Sequence, residues 1–165
     1  MDKTFEALGN QDELNAVLGI AREYCSLSNN GIEPMLMEIQ CRLFDIGSAI
    51  ATPPSSSTQK KEYPKFNDKY VSVLEKWIDE MDAALPPLSN FVIPSGGFSA
   101  THLNLARTVC RRTERSVVSL VQAGEVDQQV GVYLNRLSDF LFVAARTAAA
   151  REGQTETVWR KGDYN

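Results

Sequence analysis

Four arginines crowd into nine residues of this sequence. Arg107, Arg111 and Arg115 recur every four positions, which puts three guanidiniums on one face of a helix, and Arg112 stands beside them. Four arginines against Glu114 give the window 107–115 a net charge of +3, in a chain whose formal charge is −4. Such a stripe on an acidic protein suits an anionic ligand or an acidic partner. Each guanidinium fork offers two donors to a phosphate. The same residues also suit a solvated face with ion pairs to Glu114 and neighbouring helices, and the stripe alone leaves both readings open.

Further along, Asn135, Asp139 and Arg146 lie at roughly helical spacing, with Arg136 and Ser138 alongside. They make either an ordinary surface or an interhelix hydrogen-bond set. Asp12 and Glu13 fit the start of a helix, where carboxylates complement the dipole; pairing with an arginine of another helix is the competing role. Phe91, Val92 and Ile93 precede Pro94-Ser95-Gly96-Gly97, where glycines let backbone approach a ligand closely. Phe91 is then core or the wall of a binding site.

His102 is the one histidine. That excludes His-rich zinc sites and di-iron bundles built on paired Glu-x-x-His motifs. No nucleophile elbow accompanies it either. Chemistry here must run on carboxylates, arginines, a bound cation or a cofactor.

The elements that position these residues read as helices. The length of 165 residues fits one domain, and 43% apolar with 23% charged residues is an ordinary globular composition. Net charge −4 argues against nucleic acid, and no run approaches the roughly 18 apolar residues of a membrane span. Cys25, Cys41 and Cys110 form no Cys-x-x-Cys pair, which predicts buried thiols in a reducing compartment. The N-terminus resembles neither a signal nor a transit peptide.

Leu14, Val17, Leu18, Ala21 and Cys25 predict a first helix from Asp12, with Asn10 and Glu13 as its capping box. A second helix starts near Pro34. Residues 52–65 read as an exposed loop. A third helix covers about 68–85, with Tyr70, Leu74, Trp77, Ile78 and Met81 inward, and Pro86-Pro87 stops it. Residues 90–94 read as an extended connector without a partner strand. Helices over about 99–122 and 126–152 follow, then a flexible tail over 154–165. The expected fold is an all-α five-helix bundle in a single domain.

Several ordered strings together resemble one family. They are FEALGNQDELN (5–15), IQCRLFDIGSAIATP (39–53), FVIPSGG (91–97), CRRTER (110–115) and YLNRLSDFLF (133–142). The chain resembles the PduO-type ATP:cob(I)alamin adenosyltransferases from about Phe5 to Asp163, and CRRTER looks most like their animal mitochondrial branch. The resemblance implies a bundle assembled as a homotrimer with sites between subunits. It implies transfer of the 5′-deoxyadenosyl group of ATP to reduced cobalamin, with Mg²⁺ present and tripolyphosphate leaving. The product, adenosylcobalamin, is the coenzyme of methylmalonyl-CoA mutase, the acceptor that the resemblance implies. The implied location is the mitochondrial matrix, with the cytoplasm as the alternative.

By the same resemblance Arg111 and Arg115 are catalytic, and Arg107, Arg111, Arg115 and Asn135 bind ATP. Phe91 lies against the lower face of the corrin ring, and Asp12 pairs across the subunit interface with Arg111. These roles agree with the residue types. Fixed guanidiniums stabilise charge on a departing triphosphate. No protein base is required, because a cobalt nucleophile carries no proton. The family also carries Thr-Lys-x-Gly-Asp-x-Gly ahead of the first helix, and this sequence begins only a few residues before the match. The expectation is a shortened chain in which corrinoid binding and assembly persist while the grip on ATP weakens. The alternative function is a non-catalytic, corrinoid-binding carrier bundle.

Overall fold

The computed structural model describes residues 2–54 and 65–163. They form five α-helices: α1 Lys3–Ser28, α2 Glu33–Ala51, α3 Lys69–Ala84, α4 Phe98–Gln122 and α5 Gln128–Arg151. The architecture is all-α, as the apolar period predicts. Most of the expected 52–65 loop, residues 55–64, lies outside the described residues. Among those described, no helix is long and apolar enough to cross a membrane.

α1 is longer than its apolar period suggested. It starts at Lys3, capped by Asp2, whose carboxylate accepts from the Thr4 N–H at 2.9 Å. The expected start at Asp12 is therefore corrected, as is the Asn10–Glu13 capping box. The buried face simply continues upstream through Gln11 and Ala7, one helical turn apart, so nothing ends the helix at residue 10. Asn10 and Glu13 are mid-helix and turn toward α4. Arg112 Nε donates to Asn10 Oδ1 at 3.2 Å, Arg112 is ion-paired with Glu13, and Thr113 Oγ1 donates to the Asn10 carbonyl at 3.1 Å.

α1 ends at Asn29, in the left-handed region at φ 53°, with its N–H on the Cys25 and Ser26 carbonyls. Pro34 sits in the first turn of α2, where a missing N–H costs nothing. α4 is the inner element, packed between α1 and α5; α2 lies on α1, and α3 on α5. α4 buries Leu103, Ala106, Cys110, Thr113 and Val117. α5 answers with Val130, Leu134, Leu137, Leu141, Ala144 and Ala148, the inward series its spacing predicts. All of these but Thr113 belong to one continuous apolar core. Burying each leucine there is worth about 1.5–3 kcal/mol, and the alanines let backbones approach.

Two expectations about side chains change. On α3 the fully inward residues are Val71, Leu74 and Met81, while Tyr70, Trp77 and Ile78 are half-buried at its margin. Of the three free cysteines only Cys25 and Cys110 are buried; Cys41 is exposed, because Ile39 and Leu43 take the inward face of α2. Burial pushes both inner thiols upward in pKa, so they stay protonated.

The segment after α3 also differs from expectation: the connector has a partner. Val92 forms an antiparallel bridge with Val158. Ile93 N–H donates to the Thr157 carbonyl at 2.9 Å and Trp159 N–H to the Phe91 carbonyl at 2.8 Å. Thr157 N–H donates to Ser95 Oγ at 2.7 Å. Residues 157–159, expected to be part of a flexible tail, therefore lie along the connector. The turn into α4 then requires Gly96. Its φ is +91°, and a Cβ there would stand 2.7 Å from the Ala149 Cβ on α5. Gly96→Ala should lower stability to urea by about 2 kcal/mol or more, with the far-UV helical signal of the folded state retained. An unchanged midpoint would mean the turn tolerates a side chain.

Candidate functional site

α4 and α5 leave a cleft of about 430 Å³ between their outer faces, lined by Arg111, Glu114, Arg115, Val118, Asn135, Ser138 and Asp139. Three of the sequence-predicted residues, Arg111, Arg115 and Asn135, thus meet in one place. The meeting follows from register. Cys110, Thr113 and Val117 are drawn into the core, so Arg111, Glu114, Arg115 and Val118 are turned toward the rim facing α5. On α5 the burial of Leu134, Leu137 and Leu141 turns Asn135 and Asp139 outward.

The cleft is electrostatically uneven. Arg111 and Arg115 are exposed and make no hydrogen bond or ion pair within the described residues. Glu114 is engaged: its Oε1 accepts from Asn135 Nδ2 at 3.0 Å. Asp139 accepts from Arg136 Nη1 at 3.4 Å. Two guanidiniums with open forks therefore face two carboxylates that already have donors. The solvated-face reading fits Arg112, which pairs with Glu13, and not these two. Beneath the cleft Cys110 is buried, and its thiol donates to the Leu134 carbonyl. Burial, with Glu114 and Asp139 nearby, holds its pKa well above the usual thiol range, so it offers no nucleophile.

Arg107 does not join that cleft. One turn toward the start of α4, it lines a tighter recess with Ile93, Ser95, Asn104, Phe142, Arg146 and Glu156 among its walls. Its Nε is buried without a hydrogen-bond partner, as is that of Arg146, whose Nη2 donates to the Pro86 carbonyl at 2.9 Å. Phe91 occupies the next recess, of about 250 Å³, with Leu88, Ser89, Asn90, Val92 and Phe142. It is 80% exposed, an unusual position for a phenylalanine and the opposite of a core role. The Trp159 ring meets it edge-on at 6.1 Å. The Arg107 recess adjoins that of Phe91, because Phe142 borders both, and Arg107 stands one helical turn from Arg111 of the basic cleft on the same face of α4.

Asp12 lies apart on α1, exposed, with no hydrogen bond or ion pair inside the protomer among the described residues. His102 stacks on Tyr24 at 4.8 Å and its Nδ1 lies 2.7 Å from the Phe98 carbonyl, away from the cleft. Phe142 and Trp159 stand at the site without being among the residues expected from the sequence. The signal for Trp159 was present: Thr155, Thr157, Val158 and Trp159 form a short run of β-branched and aromatic residues that suits extended backbone.

The family model described as Cobalamin adenosyltransferase matches residues 1–148. The chain is 47% identical to corrinoid adenosyltransferase MMAB of Mus musculus over 98% of its own length and 69% of that protein's. Against MMAB of Homo sapiens the identity is 46%, over 98% of this chain and 65% of that one. The chain thus spans about two thirds of these mammalian relatives. Among solved structures it resembles a variant PduO-type ATP:corrinoid adenosyltransferase from Lactobacillus reuteri complexed with cobalamin and ATP. There the TM-score is 0.87 at 32% identity, covering 97% of this chain and 87% of that one.

The pairing pattern makes a stability prediction. Arg115→Ala should leave the urea midpoint unchanged within about 0.5 kcal/mol, since it makes no hydrogen bond or ion pair among the described residues. Arg112→Ala should cost up to about 1 kcal/mol through its exposed pair with Glu13. A larger loss for Arg115 than for Arg112 would assign Arg115 to structure.

Proposed function

The chain belongs to the cobalamin adenosyltransferase family, and on that premise we propose that it transfers the 5′-deoxyadenosyl group of ATP to reduced cobalamin. The observation that carries this reading is the pair of open guanidiniums, Arg111 and Arg115, in a cleft on the same side of the molecule as the exposed Phe91. An anionic triphosphate and an apolar macrocycle are what those two surfaces suit. The corrinoid's reduced cobalt donates an electron pair to C5′ of ATP. The cobalt–carbon bond forms, the C5′–O bond breaks, and tripolyphosphate departs with that bond's electrons.

Arg111 and Arg115 are the catalytic residues: their guanidinium charges meet the charge that grows on the leaving group. Asn135 and Arg107 contribute to holding the nucleotide. Phe91 packs against the lower face of the corrin and excludes a lower axial ligand, which eases reduction of cobalt to its nucleophilic state. Mg²⁺ enters with ATP. No group of three metal-ligating side chains is assembled among the described residues, and Mg²⁺ commonly takes phosphate oxygens and water with one or two carboxylates. Glu114 and Asp139 are the carboxylates that line the cleft.

The proposed assembly is a homotrimer in which Asp12 pairs with Arg111 of a neighbouring subunit. Neither has a hydrogen bond or ion pair among the described residues of the protomer, which supports it. The product would serve methylmalonyl-CoA mutase in the mitochondrial matrix, by likeness to the animal branch of the family.

Chemically reduced cobalamin with MgATP and this chain in excess should give the light-sensitive spectrum of adenosylcobalamin. Arg115→Ala should lower that rate by about 100-fold or more at an unchanged melting temperature. No spectral change with the unaltered chain would overturn transferase activity and leave the corrinoid carrier.

A further inference from the structure

We infer that Arg136 is a positioning residue that sets the direction of the Asn135 amide in the cleft; this rests on the nucleotide reading of that cleft. A carboxamide offers an oxygen and an amino group of nearly the same shape, and its neighbours decide which points where. Here the neighbours decide it twice. Arg136 has donors only, and its Nη1 lies 3.2 Å from Asn135 Oδ1. Ionised Glu114 has acceptors only, and its Oε1 lies 3.0 Å from Asn135 Nδ2. The amide oxygen must face Arg136 and the amino group must face α4. One Nδ2 hydrogen is used on Glu114. The other makes no bond among the described residues, and Asn135 is exposed in the cleft that holds Arg111 and Arg115.

Arg136 is itself held in place. Its Nε donates to Glu75 Oε1 on α3 at 3.2 Å, and its Nη1 also reaches Asp139 Oδ2 at 3.4 Å. A single planar fork thus ties α3 to the cleft wall and presents a donor to Asn135. A lysine could keep the charge, but a single ammonium cannot reproduce the fork that engages Glu75, Asp139 and Asn135 together. The consequence for function is directional. With Arg136 in place, Asn135 offers its free N–H to acceptor atoms of the nucleotide. Without it, Glu114 alone orients the amide, the oxygen loses its donor, and the free N–H is presented to the nucleotide for a smaller share of the time.

A merely structural Arg136 would act through its exposed bridge to Glu75, which a lysine largely preserves. The two roles therefore separate in Arg136→Lys, tested beside Asn135→Ala and the double variant. The expected result is a rise of about tenfold in KM for ATP in Arg136→Lys, with kcat, KM for cobalamin and melting temperature little changed. The double variant should be no worse than Asn135→Ala alone. Full retention of KM in Arg136→Lys, or effects that multiply in the double variant, would overturn the inference. A second readout needs no nucleotide: the side-chain amide resonances of Asn135 in ¹⁵N-labelled protein should shift in Arg136→Lys, and unmoved resonances would overturn it too. Failure of the unaltered chain to bind ATP would count against the nucleotide reading and leave this spectral test standing.

Discussion

Arg111 and Arg115 stand side by side on α4 with no hydrogen bond or ion pair among the described residues of the protomer, and the rest of the molecule makes that arrangement possible. Their like charges, one helical turn apart, repel each other. Their position is fixed by their neighbours in sequence: Cys110, Thr113 and Val117 are drawn into the core between α1 and α5. A rotation of α4 by one residue, about 100°, would carry Arg112 and Ser116 to the cleft and bury a guanidinium. Each buried apolar side chain of α4 and α5 opposes that rotation by roughly 1.5–3 kcal/mol. Thr113 adds a polar check on the same register, through its hydrogen bond to the Asn10 carbonyl of α1. Arg112, which looks equivalent in the sequence, serves the α1–α4 contact instead.

A second constraint acts at the other end of α4. The chain must leave α3, expose Phe91, and turn into α4 within the span from Leu85 to Phe98. Two contacts do this. The Arg146 guanidinium on α5 grips the Pro86 carbonyl, and residues 157–159 pair with the connector on the far side. Gly96 lets the backbone pass over Ala149 at a distance no side chain would permit. The exposed phenylalanine is thus mounted on a segment anchored at both ends, with Trp159 against its ring edge. Conformational freedom lost by the connector in the folded chain need not be lost again when a ligand binds.

The helical content was legible because period alone carries it. Val130, Leu134, Leu137, Leu141, Ala144 and Ala148 recur on one face, and every one is buried. The arginine spacing likewise announced a shared helix face. Three things were not legible. The start of α1 was hidden because Asn10 and Glu13 mimic a local cap, whereas their partners lie about a hundred residues away in sequence. The pairing of Val92 with Val158 is a single bridge between segments far apart in the chain, which no local pattern reports. The division of the stripe, with Arg107 in a separate recess, depends on how Phe142 and Arg146 of α5 fill the space beside it. Local propensity finds elements; partners at long range require the packed structure.

The measurement that bears most directly on the open guanidiniums is calorimetric titration of the chain with MgATP. The account predicts saturable binding that tripolyphosphate competes away, and loss of that binding in a variant carrying both Arg111→Ala and Arg115→Ala. ATP binding that survives unchanged in the double variant, or an unaltered chain that gives no nucleotide heat, would contradict it.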